Sequence, residues 1–202
     1  MSQLKELYEK YCSTPSDINQ HLPTLKKYGE DCESIVEMGV RSGLSTTAFI
    51  MSNPKKLISI DIQTMEKFGS NTNQFINFTK ERNIDYQFIL GDTTKIEIDE
   101  TDLLFIDTEH NYLQLKTELL LHGNKAKKYL IFHDTVTFGE RDSNAYGNYK
   151  NLNEIDEEDK TKQGLNLAIE EFIHNNPQWK IHKVFENCCG LTILKRNNEN
   201  IK

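Results

Sequence analysis

No cysteine pair, no long apolar run and no excess of positive charge mark this sequence. Its four cysteines, Cys12, Cys32, Cys188 and Cys189, form neither a C-x-x-C pair nor a zinc-ligand spacing. They are therefore expected to be reduced, mostly buried small side chains, with adjacent Cys188 and Cys189 alternating along a strand rather than acting as a redox pair. The opening residues MSQLKELYEKYC lack the apolar core of a signal peptide, and no later run is long enough to span a bilayer. A cytoplasmic protein without a membrane partner is expected. Lys and Arg total 24 against 31 Asp and Glu, a net charge of -7. That balance disfavours nucleic acid, whose affinity for protein comes largely from counterions displaced by basic clusters. Repeats and low-complexity tracts are also missing. What remains, 202 residues with 37% hydrophobic and 27% charged content, is enough for one sizeable core and so for one domain, 1–202.

Strand-length apolar runs alternate with segments of helical period, the pattern of a parallel sheet covered on both faces by crossover helices. The runs are Ser34–Glu37, Lys56–Asp61, Tyr86–Leu90, Asp102–Asp107 and Tyr129–His133, all five read as inner strands. Ser45–Ser52, Met65–Arg82 and Tyr112–Lys127 read as helices, and Leu165, Ala168, Ile169, Phe172 and Ile173 mark another that stops at Asn175-Asn176-Pro177. Trp179–Glu186 and Cys189–Lys195 form a hairpin, its last strand inserting beside the fifth. The expectation is an α/β, Rossmann-like, open twisted sheet of seven strands, mostly parallel with a C-terminal antiparallel hairpin and helices on both faces. An N-terminal helical segment, 1–30, precedes it. The polar stretch 137–162 is a candidate lid over an acceptor.

The turn after the first strand carries E-x-G-x-x-x-G, with Glu37, Gly39, Arg41, Ser42, Gly43 and Ser45 in it. Open sheets bind ligands at such turns, where glycines admit close approach and helix N–H groups accept an anion. A side chain at Gly39 is expected to fill ligand space and leave the fold intact. The spacing is not G-x-G-x-x-G, so an adenosyl amino acid fits better than a nicotinamide dinucleotide. Asp61, closing the second strand, is placed to accept both hydroxyls of a ribose, and Gly91-Asp92-Thr93 to hold an adenine edge.

These motifs in this order resemble the class I S-adenosylmethionine-dependent methyltransferases, from about Ile18 to Lys195. VEMGVRSGLST resembles the first motif of that family and ISIDI its second. LLFIDTEHNYLQLKTEL followed by YLIFHDT is similar to the branch containing cephalosporin-hydroxylase-like proteins and macrolide-sugar O-methyltransferases. The resemblance implies S-adenosylmethionine as cofactor, held by Glu37, Gly39, Ser42, Gly43, Ser45, Asp61 and Asp92, and often a magnesium ion. The acceptor it implies is a small molecule or a sugar.

Asp107 and His110 follow the fourth strand, and His133 and Asp134 end the fifth. Two carboxylates and two imidazoles at one crevice suit either a divalent cation, held by Asp107, Asp134 and His133, or direct proton transfer with His110 or His133 as base. Where the metal-dependent relatives carry two acidic or amide groups, this chain has His133-Asp134, and a histidine ligand suits manganese, iron or zinc as well as magnesium. Simpler roles fit other residues: Asn111 as a helix cap, Glu109 as a solvated acid, Thr135 as a turn former and Asp102 as an exposed edge charge. His21 reads as structural, and His122, His174 and His182 as residues in amphipathic or exposed settings. A nicotinamide-dependent oxidoreductase, a metal-dependent hydrolase and a non-catalytic nucleoside-binding module are the competing readings. A homo-oligomer remains open.

Overall fold

The strands lie where apolar runs are shortest and most β-branched, and their pairing decides everything else. The structure is a computed structural model and describes residues 3–143 and 156–197. β1 (Ser34–Met38), β2 (Lys56–Asp61), β3 (Asp85–Leu90), β4 (Thr101–Ile106), β5 (Ala126–His133), β6 (Trp179–Phe185) and β7 (Leu191–Arg196) form one sheet in the order β3-β2-β1-β4-β5-β7-β6. Pairing is parallel from β3 through β5 and antiparallel for β5 with β7 and β7 with β6. Met38 stands level with Ile60 of β2 and Ile106 of β4, so the three central strands end together.

Alternation along the strands fills two cores. Ile35, Leu57, Leu103, Phe105, Ile131 and Ile193 face α1 (Gln3–Ser13), α2 (Leu22–Gly29), α3 (Leu44–Ser52) and α4 (Thr72–Glu81). Met38, Ile60, Leu104, Ile106, Leu130 and Phe132 face α5 (Tyr112–His122) and α6 (Leu165–Asn175). Helices thus cover both faces. α3 is buried on nearly every side, as its lack of a polar stripe requires. No described helix is long and apolar enough to cross a membrane.

Several expectations need correction. β3 is an edge strand rather than an inner one, and its exposure alternates accordingly. The helix expected over 65–82 breaks into a 3-10 turn, Met65–Phe68, and α4, because Gly69 closes the turn at φ +81° and Asn71 caps a fresh start by accepting from the Asn73 N–H. α5 ends at His122, and β5 begins at Ala126, inside the expected helix. Cys188 and Cys189 lie in the hairpin turn and not on a strand, both at positive φ (49° and 69°). All four cysteines are free. Much of the candidate lid, 144–155, lies outside the described residues.

Gly39 has φ +84°, and a Cβ there would sit 1.9 Å from the Asp107 carbonyl oxygen. The expectation that a side chain would leave the fold intact is therefore corrected: it would force β1 and β4 apart before it met any ligand. Gly39→Ala should lower unfolding free energy by at least about 2 kcal/mol, combining backbone strain with the clash. Chemical denaturation checks this, and an unchanged midpoint would contradict it.

Candidate active site

The sheet order reverses between β1 and β4, and the crevice lies beyond their C-terminal ends, where a doubly wound sheet leaves room for a ligand. Its volume is about 1220 Å³, above the usual size of a small-molecule pocket and large enough for two ligands side by side. Gly39, Arg41, Ser42, Ser45, Asp61, Asp92 and Asp107 all line it.

The turn 39–43 is shaped by its neighbours. Asp61 Oδ2 accepts the N–H groups of Val40 (2.8 Å) and Arg41 (2.9 Å), while its Oδ1 accepts that of Gln63 (2.8 Å). Arg41, at φ +53°, turns its guanidinium onto Asp17 at 3.0 Å and so ties the N-terminal segment to the crevice rim. Gly43 takes φ +81° above the Phe75 ring, which a Cβ would strike. Asp92 is tied by its own turn to Thr94 and to Lys95, at 2.6 Å from the lysine Nζ.

Glu37 departs from its expected place. It is fully buried below the turn, accepting from Ser45, Thr46 (2.8 Å) and Ser59 (2.8 Å), and does not reach the crevice. Burial pushes its carboxyl up to about 7 against the pull of these hydroxyls. Its visible role is to hold the start of α3. Ser45 reaches the crevice, but its hydroxyl proton points at Glu37.

At the other end, two carboxylates and two imidazoles form a closed set. His110 Nε2 lies 2.9 Å from Asp134 and 3.4 Å from Asp107, and His133 Nδ1 lies 3.1 Å and 3.3 Å from the same two oxygens. Asp134 reaches back because its backbone has φ +60°. His133 Nε2 faces the carbonyls of Asp17 (3.1 Å) and Cys188 (3.2 Å). Both its nitrogens meet only acceptors, so both must carry protons, and the ring is an imidazolium.

Burial alone would drive the proton off, but the two carboxylates prevail and raise His133 to about 11 and His110 to about 10. Burial pushes Asp107 the other way, yet the two imidazoliums hold it well below the ordinary carboxylate range. His133 as base or metal ligand is therefore corrected: its side chain is 1% exposed and all its protons are committed. The group with metal-ligand spacing is Asp107, His110 and Asp134, one atom of each within 4.8 Å of the others. His110 opens onto the crevice under the stacked ring of Phe138, 4.8 Å away.

Other residues fall as follows. Asn111 caps α5 by accepting from the Gln114 N–H at 2.9 Å. Glu109 is not purely solvated, since it accepts from the Ser143 hydroxyl at 2.7 Å. Asp102 is corrected from an exposed charge to a partly buried one that accepts the Glu33 N–H at 2.7 Å and pairs with Lys128 at 3.2 Å. Thr135 is buried and accepts from Thr192. His21 is buried edge-on to His133 with Nε2 on the Asn187 carbonyl. His122 is corrected to a fully buried residue, bonded at Nε2 to the Thr93 carbonyl, whereas His174 and His182 are exposed. Sequence reading missed Asp17, Thr108 and Glu118. Glu118 had a signal, since it falls on the same helical stripe as Tyr112, Leu115, Leu119 and His122.

Neither a protein-family model nor a curated protein sequence matches the chain. Solved structures do. A Staphylococcus aureus protein assigned as a caffeoyl-CoA O-methyltransferase superposes with TM-score 0.63 at 17% identity, covering 97% of this chain and 93% of its own. An SAH-bound methyltransferase from Podospora anserina gives 0.59 at 12% identity, with 97% and 88% covered. An O-methyltransferase from Bacillus cereus in complex with SAH gives 0.57 at 12%, with 96% and 89% covered. The chain shares the Rossmann-like fold of these methyltransferase structures over nearly all of its length.

The charge set has a pH signature. The raised histidines contribute stability that is complete below about 6.5 and lost as pH climbs through their folded values. Depressed Asp107 contributes above about 3.9 and loses its share as pH falls through its own folded value. Stability from this set should therefore plateau between about 4 and about 6.5. By NMR, two of the six histidines should stay protonated well above about 6.5, and titration of all six near that value would refute the assignment.

Proposed function

We propose that this chain is an S-adenosylmethionine-dependent methyltransferase acting on a hydroxyl of a small molecule or sugar in the cytoplasm. The observation that carries this reading is the pairing, in one crevice at the β1/β4 switch point, of the Gly39–Gly43 turn with the carboxylate–imidazole set of Asp107, His110 and Asp134. The turn offers glycine-lined space and the start of α3 for an amino-acid carboxylate. Asp61 stands at the position for ribose hydroxyls. It holds backbone N–H groups through both oxygens: two fill Oδ2, while Oδ1 accepts one and keeps a lone pair for a single ligand hydroxyl.

The cofactor supplies an electrophilic methyl group; the chain must align the acceptor and manage its proton. Asp107, ionised at neutral pH, accepts a hydrogen bond from the acceptor hydroxyl, takes its proton during methyl transfer and passes it to solvent in the crevice. The imidazolium of His110 offsets the negative charge that the oxygen gains as that proton leaves. Alternatively, Asp107, His110 and Asp134 would hold a divalent cation in place of the His110 proton, because the two carboxylates demand a positive charge between them and, of the two imidazoles, His110 is the one open to the crevice. Such an ion would lower the acceptor's pKa.

The lining favours a neutral acceptor. Arg41 is paired with Asp17, Lys95 with Asp92, and His110 with two carboxylates, while Asp61 and Glu109 add further negative charge. Among the described residues, the crevice offers no uncommitted cation to an anionic substrate.

Calorimetry with S-adenosylhomocysteine and, separately, NADH tests the class: the first should bind one to one and the second should not bind. Asp61→Ala should weaken S-adenosylhomocysteine binding about tenfold, roughly 1.4 kcal/mol. Asp107→Asn should reduce turnover far more than binding, and a chelator should suppress turnover until magnesium or manganese is restored. NADH binding in place of the homocysteine nucleoside would overturn the proposal.

A further inference from the structure

The connection between β3 and β4, residues 91–100, crosses two strands of the sheet without a helix of its own. It nonetheless forms the crevice wall at Asp92–Lys95. Its own turn is held by N–H bonds from Lys95 and Ile96 to the Asp92 carbonyl and by the Asp92 carboxylate on Thr94 and Lys95, and the Gly91 N–H ties its start to Asp61. None of these links it to the loop after β4; α5 does. Glu118, fully buried, accepts the hydroxyl of Thr93, the hydroxyl of Thr108 at 2.8 Å and the amide of Gln114 at 2.8 Å. One turn further on, buried His122 bonds the Thr93 carbonyl at 2.8 Å. Thr93 belongs to the wall that follows β3, and Thr108 to the loop that carries Asp107 and His110. One carboxylate therefore joins the two ends of the crevice.

Resting on the methyltransferase reading above, we infer that Glu118 is a positioning residue, which sets the cofactor-side wall at Thr93 in register with the reacting end at Thr108. The chemistry requires a carboxylate. Three donors converge on it, and an ionised carboxylate is the one side chain that only accepts. Burial raises its pKa to about 7, and the three donors oppose the rise. Glutamine in its place would lose the charge and turn its N–H₂ toward one set of partners: a threonine hydroxyl could turn to accept it, giving up its charge-assisted bond, whereas the Gln114 amide could not accept at its nitrogen.

The test uses the full chain and two readouts. In Glu118→Gln, amide hydrogen exchange at residues 92–95 should quicken about tenfold, and S-adenosylhomocysteine affinity should fall by a similar factor, the scale of one lost charge-assisted hydrogen bond. Turnover at saturating S-adenosylmethionine should change far less than the KM for it. Thr93→Val, which removes the hydroxyl, should reproduce the quickened exchange of Glu118→Gln. The double variant should be no worse than either single one, since both remove the same link.

Unchanged exchange at 92–95 in a folded Glu118→Gln protein overturns the inference, as does a double variant whose loss is the product of the single ones. Should Glu118→Gln not fold, Thr93→Val decides: a folded Thr93→Val protein with unchanged exchange at 92–95 sinks the clamp. Quickened exchange in a series where even the wild type binds no S-adenosylhomocysteine instead overturns the methyltransferase reading and this residue's role in it, leaving only a structural tie.

Discussion

β1 and β4 run side by side to the middle of the molecule and then part, and the contact between Gly39 and the Asp107 carbonyl is the last place they touch. The Asp107 N–H bonds to the Met38 carbonyl at 2.8 Å, so the strand ends are laced together one residue before they diverge. Everything functional follows from that spacing. The glycine turn leads into α3 on one side, the Asp107 loop leads into α5 on the other, and the crevice is the gap between them. A hydrogen atom at position 39 is all the geometry tolerates.

The second organising force is charge taken out of water in balanced groups. Asp107, Asp134, His110 and His133 form two cations and two anions in mutual contact, so each partner meets the desolvation cost of another. Glu37 and Glu118 solve the same problem differently, with hydroxyl and amide donors in place of cations, and both are left near neutrality in pKa. All three groups lie at the C-terminal edge of the sheet, where backbone polar groups end and side chains must complete the hydrogen bonding. The polar interior is thus concentrated around the crevice, and the apolar core occupies the middle of the sheet on both faces.

The elements were legible because period and length constrain them strongly. Lys56–Asp61 reads correctly to the residue, and α6 ends at Asn175, within the Asn175-Asn176-Pro177 run expected to stop it. Boundaries failed where one residue did two jobs, as at Ala126, apolar enough to extend a helix yet the first residue of β5. The site was legible in composition more than in arrangement. Asp107, His110, His133 and Asp134 could be named from their places after β4 and β5, but spacing alone does not say which imidazole faces solvent. That is set by the carbonyls of Asp17 and Cys188, which come from the opposite ends of the chain. Glu118 was invisible to a search confined to strand ends, although a carboxylate on the apolar stripe of α5 is itself a signal.

The hairpin turn between β6 and β7 grips the N-terminal segment at several points. Asn187 bonds Gln20 and His21, and Cys188 directs its thiol to the Ser16 carbonyl and its own carbonyl to His133. Residues near the two extremes of the described chain thereby meet directly behind the charged set. The imidazolium of His133 is thus held by carbonyls from both ends of the described chain, so the charge balance beside the crevice exists only in the fully closed fold.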